Sequence, residues 1–124
     1  MNNDIIGVFK GEYIVTDDGL RYPIQQNYAS KSKLVEGDIM ALKITDDGQF
    51  IYKLTKPVQR RRLMAEVIVD DETGEMKAAT QLEKFKMLSS SISYYKIVPG
   101  KKLIIAVPMN IGEESICAIE GVIE

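Results

Sequence analysis

The feature that most constrains the fold of this chain is a short segment that occurs twice at a constant spacing. Residues 28–37 read Tyr-Ala-Ser-Lys-Ser-Lys-Leu-Val-Glu-Gly, and residues 91–100 read Ser-Ile-Ser-Tyr-Tyr-Lys-Ile-Val-Pro-Gly. The matching positions are Ser30 with Ser93, Lys33 with Lys96, Leu34 with Ile97, Val35 with Val98 and Gly37 with Gly100, each pair 63 residues apart. Because self-similarity at a fixed spacing indicates a structural unit written more than once, we predict two similar halves.

Hydrophobic patterning on both sides of these segments predicts β-strands. Short β-branched and aromatic runs alternate with turn residues, and Asp18-Gly19 and Asp47-Gly48 are typical hairpin turns, since glycine tolerates the positive φ that such turns need. We expect about ten strands, including one over 92–98. The polar stretch 25–33 holds either a short helix or an irregular crossing. Residues 80–87 have some helical character, although 84–88 also fits a strand, so we expect one helical turn at most there.

Chain length and the joint between the halves set the domain organisation. Two barrels cut from 124 residues are each very small, so they need a shared interface to be stable. The joint, residues 55–62, has no flexible Gly/Ser stretch, which favours halves that pack together. The predicted fold class is all-β, with two small antiparallel β-barrels in tandem over residues 1–57 and 58–124.

Composition excludes several classes of function. The chain has no histidine, which removes Ser-His and Cys-His nucleophile pairs and imidazole metal ligands. The single cysteine, Cys117, lies in an apolar run and is predicted to be a buried, reduced thiol, which favours a reducing, cytoplasmic compartment. A net charge of -2 gives no global positive field, and no apolar run is long enough to span a membrane. We therefore expect no membrane partner.

Polar clusters in the sequence form no recognisable catalytic or metal motif. Ser89-Ser90-Ser91 has no base near it and is predicted to be a polar loop, and Asp17-Asp18 and Asp46-Asp47 fit hairpin turns better than a cation-binding loop. The acidic stretches 70–72 and 113–114 are interpreted as solvated turns. We therefore predict a protein that is not an enzyme and that carries no metal and no cofactor.

Each half resembles the small five-stranded barrels of the oligonucleotide/oligosaccharide-binding type, and in particular the bacterial translation initiation factor one family. The motifs that carry the resemblance are Gly7-Val8, Asp18-Gly19, Leu34-Val35-Glu36-Gly37-Asp38 before the strand 39–44, and Gly48-Gln49-Phe50-Ile51, with 93–100 and 103–107 in the second half. The resemblance implies a barrel whose second and third strands contact oligonucleotides. That family is usually basic and single-barrelled, whereas this chain is slightly acidic and double. The whole chain is also similar to uncharacterised small proteins of candidate-phylum bacteria, a likeness that assigns no function.

Cationic residues beside aromatic ones form the main candidate site. Single-stranded nucleic acid needs cations for its phosphates and aromatic faces on which bases stack, at about 1–3 kcal/mol per base. The predicted nucleic-acid-binding residues are Tyr22, Tyr28, Lys31, Lys33, Phe50, Tyr52, Lys53, Lys56, Arg60, Arg61 and Arg62. Two alternatives stay open at this point, namely a solvated joint for the arginines and core packing for the tyrosines.

Two classes of function follow from these features. The first is a nucleic-acid-binding accessory protein whose partner is single-stranded RNA or the ribosome. The alternative is a protein-interaction or assembly module that docks another protein chain by strand addition, through an exposed barrel edge or through the apolar run 103–109.

Overall fold

The computed structural model describes residues 4–109 and 115–123. Within these ranges the chain forms ten strands and two short helices: β1 (Ile5–Phe9), β2 (Tyr13–Thr16), β3 (Arg21–Pro23), α1 (Gln26–Lys31), β4 (Ile39–Ile44), β5 (Phe50–Lys56), β6 (Arg60–Val69), β7 (Met76–Ala79), β8 (Lys84–Lys86), α2 (Ser89–Tyr94), β9 (Lys102–Pro108) and β10 (Ala118–Ile123). The predicted all-β class is confirmed.

The strands form two five-stranded antiparallel sheets with the same topology. The strand order is β3-β2-β1-β4-β5 in the first sheet and β8-β7-β6-β9-β10 in the second. In both, a helix connects the third strand in chain order to the fourth. The prediction of one β-rich unit written twice is confirmed, and the chain passes from one sheet to the other between Lys56 and Arg60.

Each sheet curls until its third strand meets the fifth strand or the residues that lead into it. In the first half, the Tyr52 hydroxyl donates to the Pro23 carbonyl at 2.7 Å, and the rings of Tyr22 and Phe50 contact edge to face at a centroid distance of 6.4 Å. In the second half the closure is made by the backbone, because the Lys86 N–H donates to the Ser115 carbonyl and the Lys86 carbonyl accepts from the Cys117 N–H, each at 3.0 Å. Both halves are therefore small barrels, as predicted.

The two barrel cores are continuous with each other. Phe9, Ile14 and Met40 are fully buried in the first barrel, and an equivalent cluster fills the second. Leu88 and Ile116 belong to the second half of the sequence but pack against the first core. Ile116 occupies the space beside Gly11, where an added Cβ would overlap its Cδ1 atom. The halves therefore pack as one body, which agrees with the shared interface expected from their size.

Helix α2 corrects one prediction. The segment 92–98 was predicted to be a strand because Ile92, Tyr94, Tyr95, Ile97 and Val98 are β-branched or aromatic, but residues Ser89–Tyr94 form a helix. Spacing decides here, since Leu88, Ile92 and Tyr95 recur at four and three residues and all pack toward buried side chains. Residues 80–87 form no helix, because Lys84–Lys86 is strand β8, inside the strand predicted over 84–88.

The apolar run 103–109 lies in the interior of the second sheet. Its strand β9 pairs with β6 on one side and with β10 on the other, and most of its side chains are buried. A strand with two paired neighbours has no open edge, so this run cannot accept another chain by strand addition.

Both helices end in the same left-handed turn. Lys33 and Lys96 each follow a helix C-cap with a φ of 53°, a conformation that residues with a Cβ rarely adopt. The Leu34 N–H donates to the Ala29 carbonyl at 3.1 Å, and the equivalent distance in the second half is 3.0 Å. These are the long-range hydrogen bonds of a Schellman motif. The two repeated segments therefore build the same corner between helix and strand.

Replacing Lys96 by glycine is expected to stabilise the protein. The substitution removes a left-handed penalty of about 1–2 kcal/mol, offset by about 0.5–1 kcal/mol of added chain entropy in the unfolded state. We expect the free energy of unfolding in urea to rise by about 0.5–1 kcal/mol. Lys31→Gly, inside helix α1, is the matched control and should lower it by a similar amount. Equal losses in both variants would contradict the assignment.

Candidate nucleic-acid interface

The three arginines of the predicted basic joint begin strand β6, and each pairs with a carboxylate. The pairs are Arg60 with Asp38, Arg61 with Glu83 and Arg62 with Glu120. Arg61 donates to both carboxylate oxygens of Glu83, at 3.1 and 3.3 Å. A phosphate at this joint would have to compete with these carboxylates, so the arginines form a weaker anion site than their density in the sequence suggests.

Asp38 is the most buried of these partners. Its side chain has no solvent exposure, and its carboxylate accepts hydrogen bonds from the backbone N–H groups of Val35 and Val58, each at 3.0 Å, and from Arg60. Arg60 also donates to the Lys33 carbonyl at 3.2 Å. A buried carboxylate is tolerated only when its acceptor positions are filled in this way. The first arginine of the joint is therefore structural.

The four predicted aromatic residues do come together, at the end of the first barrel. The Phe50 and Tyr52 rings are 6.3 Å apart, and the Tyr52 and Tyr28 rings 5.3 Å apart, which continues the contact from Tyr22. Burial raises the pKa of Tyr52, and the Tyr28 hydroxyl donates to the Tyr52 carbonyl at 3.2 Å. A groove of about 500 Å³ lies beside Phe50 and Tyr52. The rings are partly buried against one another and do not stand as open platforms.

The predicted lysines lie on separate parts of the first half. Lys31 ends helix α1, and Lys33 lies in the left-handed corner, from which its ammonium donates to the Glu120 carbonyl at 3.5 Å. Lys56 ends β5, whereas Lys53 is exposed in the middle of that strand. Of these lysines, Lys53 is the one that projects from the outer face of a sheet.

A different set of side chains shares that outer face. Tyr13 and Val15 lie on the side of β2 opposite to the buried Ile14, and Val15 pairs across from Val8 on one side and Arg21 on the other. The guanidinium carbon of Arg21 lies 4.6 Å from the centroid of the Tyr13 ring. This distance is that of a cation–π contact, so the second and third strands present a stacked arginine and tyrosine to solvent.

Two lysines extend the same face across β4 and β5. Lys53 pairs across from Ala41, which pairs across from Ile6, and Lys43 pairs across from Ile51. Residues opposite one another in register project from the same face. Ile6 and Ile51 are 52% and 53% exposed and lie among the cations. We call Tyr13, Arg21, Lys43 and Lys53 the outer basic face.

Sequence reasoning found Lys53 but missed the other members of the outer basic face. Tyr13, Arg21 and Lys43 are separated in sequence and form no cluster there. Strand alternation could have found them, since Tyr13 alternates with Ile14 and Lys43 with Leu42, both of which are apolar.

The acidic turns have the conformational role that the sequence predicts. The Thr16 hydroxyl donates to the Asp18 carboxylate, which lowers the pKa of Asp18, and Thr45 contacts Asp47 in the same way. Gly19 and Gly48 follow with φ of 84° and 83°. These carboxylates therefore serve hairpin turns, which lie at the ends of the strands.

The remaining polar candidates do not assemble a reactive site. Ser89–Ser91 lies in helix α2 and not in a loop, and the acidic pair 113–114 lies outside the described residues. Across 4–109 and 115–123, no three His, Cys, Asp or Glu side chains are placed to hold a metal ion. Cys117 is buried, as predicted, and burial raises its pKa to about 12, which keeps the thiol protonated.

Comparison with protein-family models, with curated proteins and with solved structures gave no match for this chain. No helix in the described part of the chain has the length and hydropathy needed to cross a bilayer.

Removing the buried carboxylate of Asp38 is expected to destabilise the protein strongly. Asp38→Ala leaves the Arg60 guanidinium and two backbone N–H groups without their acceptor, which costs about 3–5 kcal/mol of unfolding free energy. Arg62→Ala is the matched control, because the Arg62 side chain is 64% exposed and loss of such a pair costs below about 1 kcal/mol. Urea denaturation measures both, and equal losses would argue against a special role for Asp38.

The ion pair between Asp70 and Lys77 is expected to make the stability of the protein depend on pH in the acid range. Their 2.8 Å contact holds the pKa of Asp70 at about 2, below its usual 3.8. A lowered carboxyl pKa stabilises the fold above about pH 4, and this contribution is lost as the pH falls toward 2. Asp70→Asn should therefore be less stable at pH 7 and lose less stability between pH 4 and 2. Asp71→Asn, which leaves the pair intact, should keep the natural acid response in thermal melts.

Proposed function

We propose that this protein is a non-catalytic binding protein that holds single-stranded nucleic acid, RNA in the first place, on its outer basic face. The observation that carries the proposal is the stacking of Arg21 on Tyr13, on the second and third strands of the first barrel. That position is where small five-stranded barrels of this type contact oligonucleotides. Lys43 and Lys53 project from the outer surface of the same barrel, on β4 and β5, and supply further positive charge.

The chemistry of the outer basic face fits a single strand better than a duplex. Unpaired bases stack on aromatic rings and on arginine planes, both of which the Tyr13 and Arg21 pair offers. Lysine ammonium groups pair with phosphates without reading sequence. The exposed Ile6 and Ile51 add apolar surface against which a base or sugar packs. Binding is therefore expected to depend on salt and to show weak sequence preference.

The proposal moves the contact away from the joint. Arg60, Arg61 and Arg62 are paired with carboxylates of their own chain, whereas the cations of the outer basic face project from an exposed sheet surface. The four aromatic residues that the sequence suggested are packed against one another at the end of the barrel. They keep a structural part in the proposal and no direct contact with nucleic acid.

Strand addition at a barrel edge is less well supported. Tyr28 in α1 donates to the Tyr52 carbonyl of edge strand β5, and Tyr95 after α2 donates to the Ile119 carbonyl of β10 at 3.4 Å. Tyr52 pairs with Leu42, and Ile119 pairs with Ile105, which lies 63 residues after Leu42. The two carbonyl acceptors therefore occupy equivalent positions in their barrels. In both barrels the helical segment therefore covers part of the last strand, a common way to protect an edge.

Filter binding or fluorescence anisotropy with a labelled U12 oligonucleotide tests the proposed function. Three phosphate contacts by Arg21, Lys43 and Lys53 predict a slope of about -2 for log K against log salt concentration. The variant Lys43→Gln/Lys53→Gln should weaken binding about tenfold at low salt and reduce the slope to about -0.7. Tyr13→Ala should weaken binding further without changing the slope, since it removes stacking at about 1–3 kcal/mol per base.

A charge-matched control separates the outer basic face from the joint. Arg61→Gln/Arg62→Gln removes the same two charges from the predicted joint and should leave affinity nearly unchanged. If this control weakens binding as much as the lysine variant, the contact lies at the joint. If the natural protein does not bind U12 at low salt, the proposed function is wrong.

A further inference from the structure

The two helix-to-strand corners of the protein have the same backbone but different surroundings. Ser30, Lys33 and Val35 form the first corner, and Ser93, Lys96 and Val98 form the second corner at a constant spacing of 63 residues. The φ values of the two lysines are identical, and the glycines that end the corners have φ of 99° and 91°. The three side chains of each corner are therefore presented by the same backbone geometry.

The first corner contacts the second half of the chain through all three of its side chains. The Ser30 hydroxyl contacts the hydroxyls of Ser90 and Ser91, the latter at 2.8 Å. Val35 has no solvent exposure and packs against Ala106 and Ala118 on the outer face of β9 and β10.

The remaining contact of the first corner is polar. The Lys33 ammonium donates to the backbone carbonyl of Glu120, which follows Ala118 in β10. The first corner therefore binds the second half of the chain in two ways. Its valine packs against small side chains, and its serine and lysine form hydrogen bonds.

The second corner also carries a serine, a lysine and a valine, but its valine is exposed. Val98 is 52% exposed although its counterpart Val35 is completely buried, and Ser93 is exposed whereas Ser30 is half-buried. Lys96 is exposed, as Lys33 is. Tyr94, which follows Ser93 in the sequence, is 74% exposed. The second corner therefore exposes a valine whose counterpart is buried in an interface, next in sequence to a tyrosine, a residue type that is enriched at protein interfaces.

We propose that the second corner docks another protein, one that presents a β-sheet face of small side chains next to a hydrogen-bond acceptor for Lys96. The internal interface defines this chemistry, since Ala106 and Ala118 permit close approach of Val35 and a carbonyl receives Lys33. The inference rests on contacts independent of the proposed nucleic-acid binding, and it uses a surface on the other half of the chain.

A second copy of this chain does not supply the required face. Lys43 and Ile51 pair with each other in the first barrel as Ala106 and Ala118 do in the second. Both replacements are large, and Lys43 would bring an ammonium group toward Lys96. Lys53 follows the residue equivalent to Ile119, so a lysine lies where the second barrel has Glu120 and, after its register shift, Gly121. Large side chains and positive charge therefore prevent the second corner from docking on the first barrel. Terminal repeats of repeat proteins likewise have a polar outer face.

The test recreates the missing face on the protein itself. The face variant carries Lys43→Ala, Ile51→Ala and Lys53→Glu, together with Val98→Asp, which disables its own second corner. It is titrated, unlabelled, into the ¹⁵N-labelled natural protein, and amide shifts are followed by two-dimensional NMR. We expect saturable shifts centred on residues 93–98. Labelled Val98→Asp protein in place of the natural chain should bind at least about tenfold more weakly, a difference of about 1.4 kcal/mol.

Controls make each outcome decisive. Unlabelled Val98→Asp protein with Lys43, Ile51 and Lys53 intact should give no saturable shifts, and circular dichroism verifies that every variant is folded. If the face variant is unfolded, Lys43→Ala/Lys53→Glu/Val98→Asp replaces it. Absence of binding, or binding that Val98→Asp on the natural chain does not weaken, overturns the proposal. Self-association of the natural protein that Val98→Asp abolishes would assign the corner to a second copy and would also overturn it.

Discussion

The buried ion pair between Asp38 and Arg60 is the interaction on which the arrangement of the two barrels depends. Its carboxylate is completely buried and receives donors from the first corner, from the joint and from the first residue of β6. Because an unpaired charge in that position would be costly, the pair holds three segments in a single geometry. Lys101 occupies the repeat position of Asp38, so the second barrel has no equivalent pair. The link between the barrels is therefore one-sided, although their folds are the same.

This one-sided link explains why equivalent sheet faces are buried in one barrel and exposed in the other. The outer face of β9 and β10 carries Ala106 and Ala118, which let the first corner approach closely enough for Val35 to be buried. The same positions in the first barrel carry Lys43 and Ile51, so that face stays exposed and positively charged. Side-chain size at two positions thus decides which sheet face is an interface inside the protein and which remains exposed to solvent.

The repeated segment predicted the tandem architecture because backbone requirements repeat with the fold, as the left-handed lysines and the corner glycines show. Helix α2 was not predicted, because its composition favours a strand. The three- and four-residue spacing of Leu88, Ile92 and Tyr95, which fits a helix, is a weaker signal in the sequence. The carboxylate partners of the basic joint were not predicted, for a different reason. Arg62 is neutralised by Glu120, 58 residues away in sequence, and pairing at that distance depends on strand order that local sequence does not contain.

Net charge is a poor guide to the local surface charge of this protein, because its acidic and basic residues lie in different environments. Several carboxylates are fixed by turn geometry, as in Asp18 and Asp47, or by buried pairs, as in Asp38 and Asp70. Cations such as Lys43 and Lys53 instead project from an exposed sheet face, where a ligand experiences their local field and not the sum over the chain. A chain with a formal charge of -2 can therefore present a basic surface, and the outer basic face follows from the fold and not from the composition.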